Sequence, residues 1–248
     1  MNNINSQGKL PDFIGLGTQK GGTTTLHKIL DMHPNIYLPR FKEVHYFDNH
    51  YSKGIEWYKK NFSEAQDKQL CGEITPHYLY HPNVAIRIKN TIPLAKFIIL
   101  LRDPIERTLS HYFHAQKRGF ESLDIEKALN AEQKRMEFGG PLSRQRYSYV
   151  GRSKYIEQIN RYREAFREDR ILILKSETFF EKRENSIDAI QEFLGIENKI
   201  RPTGVMHENM GSKSKIINVD RKIRKKLRII LEDTYREVKS QYGITWED

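Results

Sequence analysis

Lys20 lies inside a turn built from glycines and threonines, Gly15-Leu16-Gly17-Thr18-Gln19-Lys20-Gly21-Gly22-Thr23-Thr24-Thr25. That set of residues suits an anion. Before it, Phe13, Ile14 and Leu16 read as a short buried strand; after it, Leu26, Ile29 and Leu30 have the spacing of a helix's inner face. The first N–H groups of a helix have no internal partner and point outward at the positive end of its dipole. Gly21 and Gly22 let the backbone bend around a phosphate without an intervening Cβ, Thr23, Thr24 and Thr25 add hydroxyl donors, and Lys20 adds a full charge. A nucleotide-triphosphate loop reads G-x-x-x-x-G-K-[ST]. Gly17 and Gly22 keep that glycine spacing, but Thr23 stands where the lysine belongs. The displaced lysine argues against ordinary ATP or GTP hydrolysis. It suits an ammonium aimed at one bridging oxygen of a shorter phosphate-type group. The bland alternative is a glycine turn that binds nothing.

A second constellation follows a continuous apolar run. Lys96-Phe97-Ile98-Ile99-Leu100-Leu101 has the character of a strand buried on both faces, and Arg102-Asp103-Pro104 comes directly after it. Pro104 fits the first turn of a helix, where its missing N–H costs nothing. Arg102 is thereby placed at the carboxyl end of a strand, the edge where open α/β sheets bind ligands. Ser110 lies about two helical turns beyond Pro104. A guanidinium fork with a hydroxyl would clamp a second, separate phosphate. Alternatively, Arg102, Asp103, Glu106 and Arg107 form a solvated ion-pair network at a helix start.

The elements that must position these groups alternate between strand and helix. The pattern predicts an α/β fold, a single P-loop-like domain over 11–248 with a mainly parallel central sheet flanked by helices on both faces, after a flexible segment 1–10. Beyond a helix over 23–32, residues 34–51 read as irregular and aromatic-rich, the kind of loop that carries ligand contacts at a sheet edge. Helices are expected over 82–90, 104–119, 123–138, 155–166 and 186–194, and a further strand over 170–174. Gly139-Gly140-Pro141 breaks the helix before it, and 143–151 reads as a polar link. Its Arg144, Arg146, Tyr147 and Tyr149 either reach a ligand or form a plain surface loop.

The 248 residues suffice for one large core. No apolar run approaches the roughly 18 residues of a membrane span, and Met1–Lys9 lacks the apolar stretch of a signal peptide. Cys71 stands alone, which excludes a disulfide within the chain and suggests a reducing, cytoplasmic setting. His33, His45, His50, His77, His81, His111 and His114 have no zinc-ligand spacing, so no metal is expected. The formal charge of +10 admits nucleic acid, an anionic surface or an acidic ligand. The densest basic cluster, Arg221 to Arg228, belongs to a helix whose buried face reads as Ile223, Leu227, Ile230 and Leu231. Its charges then form a solvated outer face rather than a nucleic-acid stripe. No exposed coiled-coil pattern indicates an oligomeric state.

Together these motifs carry a resemblance. The loop Gln19-Lys20-Gly21-Gly22-Thr23, then Lys42-Glu43-Val44-His45-Tyr46-Phe47-Asp48, then Arg102-Asp103-Pro104 with Ser110 and Tyr112, resembles the sulfotransferases that use 3′-phosphoadenosine 5′-phosphosulfate (PAPS), closest to the heparan-sulfate-type carbohydrate enzymes and their bacterial relatives. It includes Gly54-Ile55-Glu56-Trp57-Tyr58 and Glu73-Ile74-Thr75-Pro76-His77-Tyr78 and weakens beyond Arg201. The resemblance implies PAPS as co-substrate and 3′,5′-bisphosphoadenosine (PAP) as product, without a metal. Lys20 would neutralise the oxygen between phosphorus and sulfur. Gly21, Gly22, Thr23, Thr24 and Thr25 would hold the 5′-phosphate, and Arg102 with Ser110 the 3′-phosphate. Glu43 would be the general base, with His45 the runner-up, and Glu43, His45, Asp48, Thr75 and His77 would surround a hydroxyl of a carbohydrate or small-molecule acceptor. A basic loop at Gly211-Ser212-Lys213 would close over the donor, or else be a surface turn. The heparan-type enzymes commonly carry a lysine where Ile74 stands, which leaves room for a smaller or neutral acceptor. A P-loop kinase-like phosphotransferase and a non-catalytic nucleotide-binding protein are the alternatives.

Overall fold

The computed structural model describes residues 8–197, 200 and 213–246. Five parallel strands form one sheet in the order β2-β3-β1-β4-β5, with β1 Phe13–Gly17, β2 Ile36–Tyr37, β3 Leu70–Ile74, β4 Lys96–Leu101 and β5 Ile171–Lys175. β1 lies at the centre. The chain builds one side of it through β2 and β3, then returns to build the other through β4 and β5. The carboxyl ends of β3, β1 and β4 therefore flank a topological switch point, where a doubly wound sheet opens a crevice.

The apolar runs divide between two cores with the period of two that a strand imposes. Ile14, Leu16, Phe97, Ile99 and Leu101 face one layer, whereas Phe13, Ile98 and Leu100 face the other. Both faces are covered, as a parallel sheet requires.

Between the first two strands lies α1 (Thr23–Asp31). The crossover from β2 to β3 carries α2 (Tyr46–Asn49) and α3 (Ile55–Lys59), and α4 (His77–Tyr80) and α5 (Val84–Thr91) lead to β4. After β4 come α6 (Pro104–Lys117), α7 (Ile125–Phe138), α8 (Gly140–Tyr147) and α9 (Tyr155–Ala165). Beyond β5 lie α10 (Ser176–Glu181), α11 (Arg183–Leu194), α12 (Lys213–Ile217), α13 (Arg221–Ile230) and α14 (Glu232–Tyr242).

Two expectations need correction. Residues 140–147 are a helix rather than part of a polar link. Gly140 turns the chain at φ 67°, and Pro141, in the first turn of α8, starts a new helix as readily as it stops an old one. In α13, Leu227 and Leu231 are buried as the pattern predicts, but Ile230 is 43% exposed. The helix stops at Ile230, and Leu231 leaves helical geometry at φ −103°, so the inner face does not carry through. Among the described residues no helix is long and apolar enough to cross a membrane.

Candidate active site

The first loop is held from the ends of two strands, β4 and β5. Thr18 sends both its N–H (2.7 Å) and its hydroxyl (3.0 Å) to the Leu100 carbonyl on β4. Arg102 Nη1 donates to the Lys20 carbonyl at 3.2 Å, and the Ser176 hydroxyl, just after β5, donates to the Gly21 carbonyl at 2.6 Å. Gly22 enters α1 at φ 99°, and a Cβ there would come within 2.6 Å of the Phe180 ring, so both conformation and space select glycine. No side chain caps α1 and its first turn holds no acid. By contrast α6, α7 and α13 are each capped by an aspartate, Asp103, Asp124 and Asp220. The α1 start thus presents free N–H groups beside the buried Thr23 and Thr25.

Positive charge converges on this opening. Burial, then Arg102, Lys117 and Arg118, pulls the Lys20 ammonium below its usual range. His114 is driven down to about 4 by burial first, then by Lys20, Arg118 and Lys117. His111 lies deeper in α6, neutral for the same kind of reason, with Nδ1 buried and unpartnered. Among the described residues no carboxylate pairs with Lys20; Arg102 reaches Glu106 only at 3.9 Å. Ser110 is buried in α6. The solvated network considered for Arg107 is not formed: its guanidinium is fully buried, bonded to the Tyr149 carbonyl and, at 2.5 Å, to the Ser153 hydroxyl.

The second group sits on the segment entering α2. Glu43 adopts φ 68° and His45 φ 55°; with Lys20 at φ 72°, these are the non-glycine residues of positive φ among the described residues. Left-handed backbone at such residues costs on the order of 1–3 kcal/mol each and persists where the surroundings over-determine it. Lys42 Nζ lies 2.7 Å from Glu43 Oε1, and His45 Nε2 3.4 Å from Oε2. Glu43 is depressed to about 2, because the hydrogen bond from His45 and the charge of Lys42 outweigh burial. His45 is pushed up to about 9, since Asp48 and Glu43 outweigh its own burial. Between about pH 2 and about pH 9 the pair is carboxylate and imidazolium.

Asp48 Oδ2 takes His45 Nδ1 at 2.8 Å and His77 Nδ1 at 2.7 Å. His45, Asp48 and His77 offer ligand atoms within 4.8 Å of one another, a juxtaposition that the sequence spacing concealed. Both ring nitrogens lie at hydrogen-bond distance from one oxygen, the arrangement of donated protons. Thr75 and His77 do not line an opening. Thr75 is fully buried with its hydroxyl on Glu73 at 2.8 Å, and His77 is 7% exposed beneath Asp48. Gly211 and Ser212 lie outside the described residues, and Lys213 begins α12.

Arg152 escaped the sequence reading. Its buried guanidinium donates to Gln19 Oε1 in the first loop (2.7 Å), to the Ser148 hydroxyl, and to the Arg144 and Gln145 carbonyls of α8. It ties the α1 loop to the far wall through a contact spanning most of the chain, which no local motif signals.

A parallel sheet with an uncapped helix start, a lysine-bearing loop and an arginine after the neighbouring strand has the chemistry of an anion site, and the comparisons give the class of transferase. The family model of the sulfotransferase domain matches residues 10–225, and the chain belongs to that family. It is 48% identical over 106 residues to "Membrane-associated sulfotransferase kil1" of Dictyostelium discoideum, covering 42% of this chain and 22% of that protein. It is 26% identical over 197 residues to human "Heparan sulfate glucosamine 3-O-sulfotransferase 3B1", covering 77% and 48%. The matches thus span less than half the length of these relatives. The solved sulfotransferase from Alicyclobacillus acidocaldarius shares the fold at TM-score 0.81 and 23% identity, over 95% of this chain and 96% of that one.

Proposed function

We propose that the chain moves a sulfuryl group from PAPS to a hydroxyl of a carbohydrate or small-molecule acceptor. The observation that carries the reading is the convergence of Lys20, Arg102, Lys117 and Arg118 on an uncapped helix start. Such an excess of cations is stabilised by a polyanion with phosphates at two ends. Bound PAPS supplies the activated sulfuryl group.

The residues do the rest. The N–H groups of Gly22, Thr23 and Thr24, with the hydroxyl of Thr25, hold the 5′-phosphate, whereas the Gly21 N–H closes the turn on the Thr18 carbonyl at 2.9 Å. Lys20 neutralises the bridging oxygen as charge builds there. Arg102 and Ser110 hold the 3′-phosphate, and Lys213 is a candidate to close over the donor together with Gly211 and Ser212. Glu43 accepts the acceptor's proton, a role worth about 10²–10⁴-fold. His45 and Asp48 keep Glu43 ionised and aimed. Lysine and backbone dipoles take the part that magnesium plays in phosphoryl transfer, so the scheme calls for no metal.

Calorimetry tests the donor, and labelled-sulfate transfer over a panel of alcohols, sugars and polysaccharides tests the reaction. PAP should bind more tightly than ATP, and label should reach at least one hydroxyl. Tight ATP binding with no heat from PAP would refute the reading.

A further inference from the structure

We propose that Glu73 is a positioning residue for the reaction: its carboxylate clamps the two phenols, Tyr58 and Tyr78, that hold the Glu43–Asp48 segment in shape. This rests on the reading of Glu43 as the base.

Glu73 is the next-to-last residue of β3 and is 1% exposed. Its Oε1 accepts from the Tyr58 hydroxyl at 2.5 Å and the Tyr78 hydroxyl at 3.2 Å, and its Oε2 accepts from the Thr75 hydroxyl at 2.8 Å. Among the described residues no lysine or arginine pairs with it. A carboxyl group buried without a counter-charge is costly, and burial pushes this one up to about 7 despite its three hydroxyl partners. Simple packing would be served better by an apolar side chain.

Both phenols reach the catalytic segment. Tyr78 Oη accepts the Phe47 N–H at 3.2 Å, and its ring meets the Phe47 ring edge-on at 5.7 Å. Tyr58 stacks on Tyr46 with centroids 4.3 Å apart and planes at 9°, and meets Phe47 edge-on at 5.1 Å. Arg87 Nη1 completes the clamp on the Phe47 carbonyl at 2.7 Å. Tyr46 and Phe47 stand between His45, at φ 55°, and Asp48, the residue that orients His45. The two left-handed residues are thus carried on an aromatic platform whose hydroxyls converge on one carboxylate. Being buried, Glu73 touches no substrate and acts through the tyrosines.

The test compares Glu73→Gln and Tyr78→Phe with the unaltered chain by kcat, acceptor KM, PAP affinity and thermal midpoint. Glutamine keeps the shape but turns one acceptor oxygen into a donor facing hydroxyl donors. Phenylalanine removes the hydroxyl from the Phe47 N–H and leaves Glu73 in place. The expected result is a kcat lowered about ten- to a hundredfold in both, as for a misplaced catalytic group, with PAP affinity unchanged. Added to Glu43→Gln, either change should cost no further rate, because there is no longer a base to position. Unchanged kcat in folded Tyr78→Phe, a parallel loss of PAP affinity, or a full additional loss on top of Glu43→Gln would each overturn the proposal. If Glu73→Gln does not fold, Tyr78→Phe decides. Full activity of Glu43→Gln alone would instead strike the base assignment, a separate measurement from the Tyr78→Phe rate.

Discussion

Glu43→Gln isolates the proton-accepting step. The substitution is nearly isosteric, and Gln at the same φ of 68° carries no more backbone strain than Glu. Glu43 is 39% exposed and contacts Lys42 and His45. Exposed ion pairs contribute about 0–1 kcal/mol, so the fold should survive. A general base supplies about 10²–10⁴ in rate. In the proposed reaction a Glu43 held down to about 2 by His45 and Lys42 is a weak base, which places the expected loss near the lower end. A hundredfold loss corresponds to about 2.7 kcal/mol at about 1.36 kcal/mol per tenfold. Among the described residues the Gly15–Thr25 loop makes no hydrogen bond to Glu43, and removing a negative charge leaves the site more cationic. PAP affinity should therefore hold or tighten while kcat falls. Labelled-sulfate transfer under saturating PAPS reads the first quantity and calorimetry with PAP the second. Turnover equal to the unaltered chain, or PAP affinity lost in step with rate, would refute the assignment.

Lys20→Ala should weaken PAP binding and slow transfer together, since one ammonium serves ground-state binding and leaving-group charge; normal transfer by this variant would break that argument. The pH profile follows the two shifted groups. The raised pKa of His45 means that its charged-state stabilisation is complete below about 6.5 and is lost as pH rises through about 9. The depressed pKa of Glu43 means that its contribution is complete above about 4.5 and is lost only as pH falls toward about 2. Rate should therefore fall on the alkaline side near pH 9, with no acid loss from Glu43 in the ordinary carboxylate range. His45→Asn should move the alkaline limb, and an identical limb in that variant would exclude His45 as its source.

The two strand–turn–helix units were legible in the sequence because each pairs a continuous apolar run with sharp punctuation, Gly21-Gly22 in one and Asp103-Pro104 in the other. The β2 strand was not, since Ile36–Tyr37 is too short for any period to show. Residues 140–147 were misread because Gly-Gly-Pro ends and begins helices with the same residues. In the site, Glu43, His45 and Asp48 stood out only through the resemblance that Lys42–Asp48 carries. His77 meets Asp48 across 29 positions and Arg152 meets Gln19 across 133, and only the folded topology creates such contacts. Thr75 shows the converse error. The resemblance gives its hydroxyl to the acceptor, whereas in the fold Thr75 follows β3 directly and its hydroxyl donates to the buried Glu73 carboxylate.

The bond from Ser176 to the Gly21 carbonyl spans 155 positions and lies just past the last strand of the sheet. During synthesis the lysine-bearing turn leaves the ribosome well before β5 and is not locked until β5 has joined the edge of β4. Parallel pairing at such separations is slow to form. A nascent chain that stops short of β5 would expose a cationic, glycine-rich tether without the bond that fixes its turn, so the loop takes its shape only once β5 has been made.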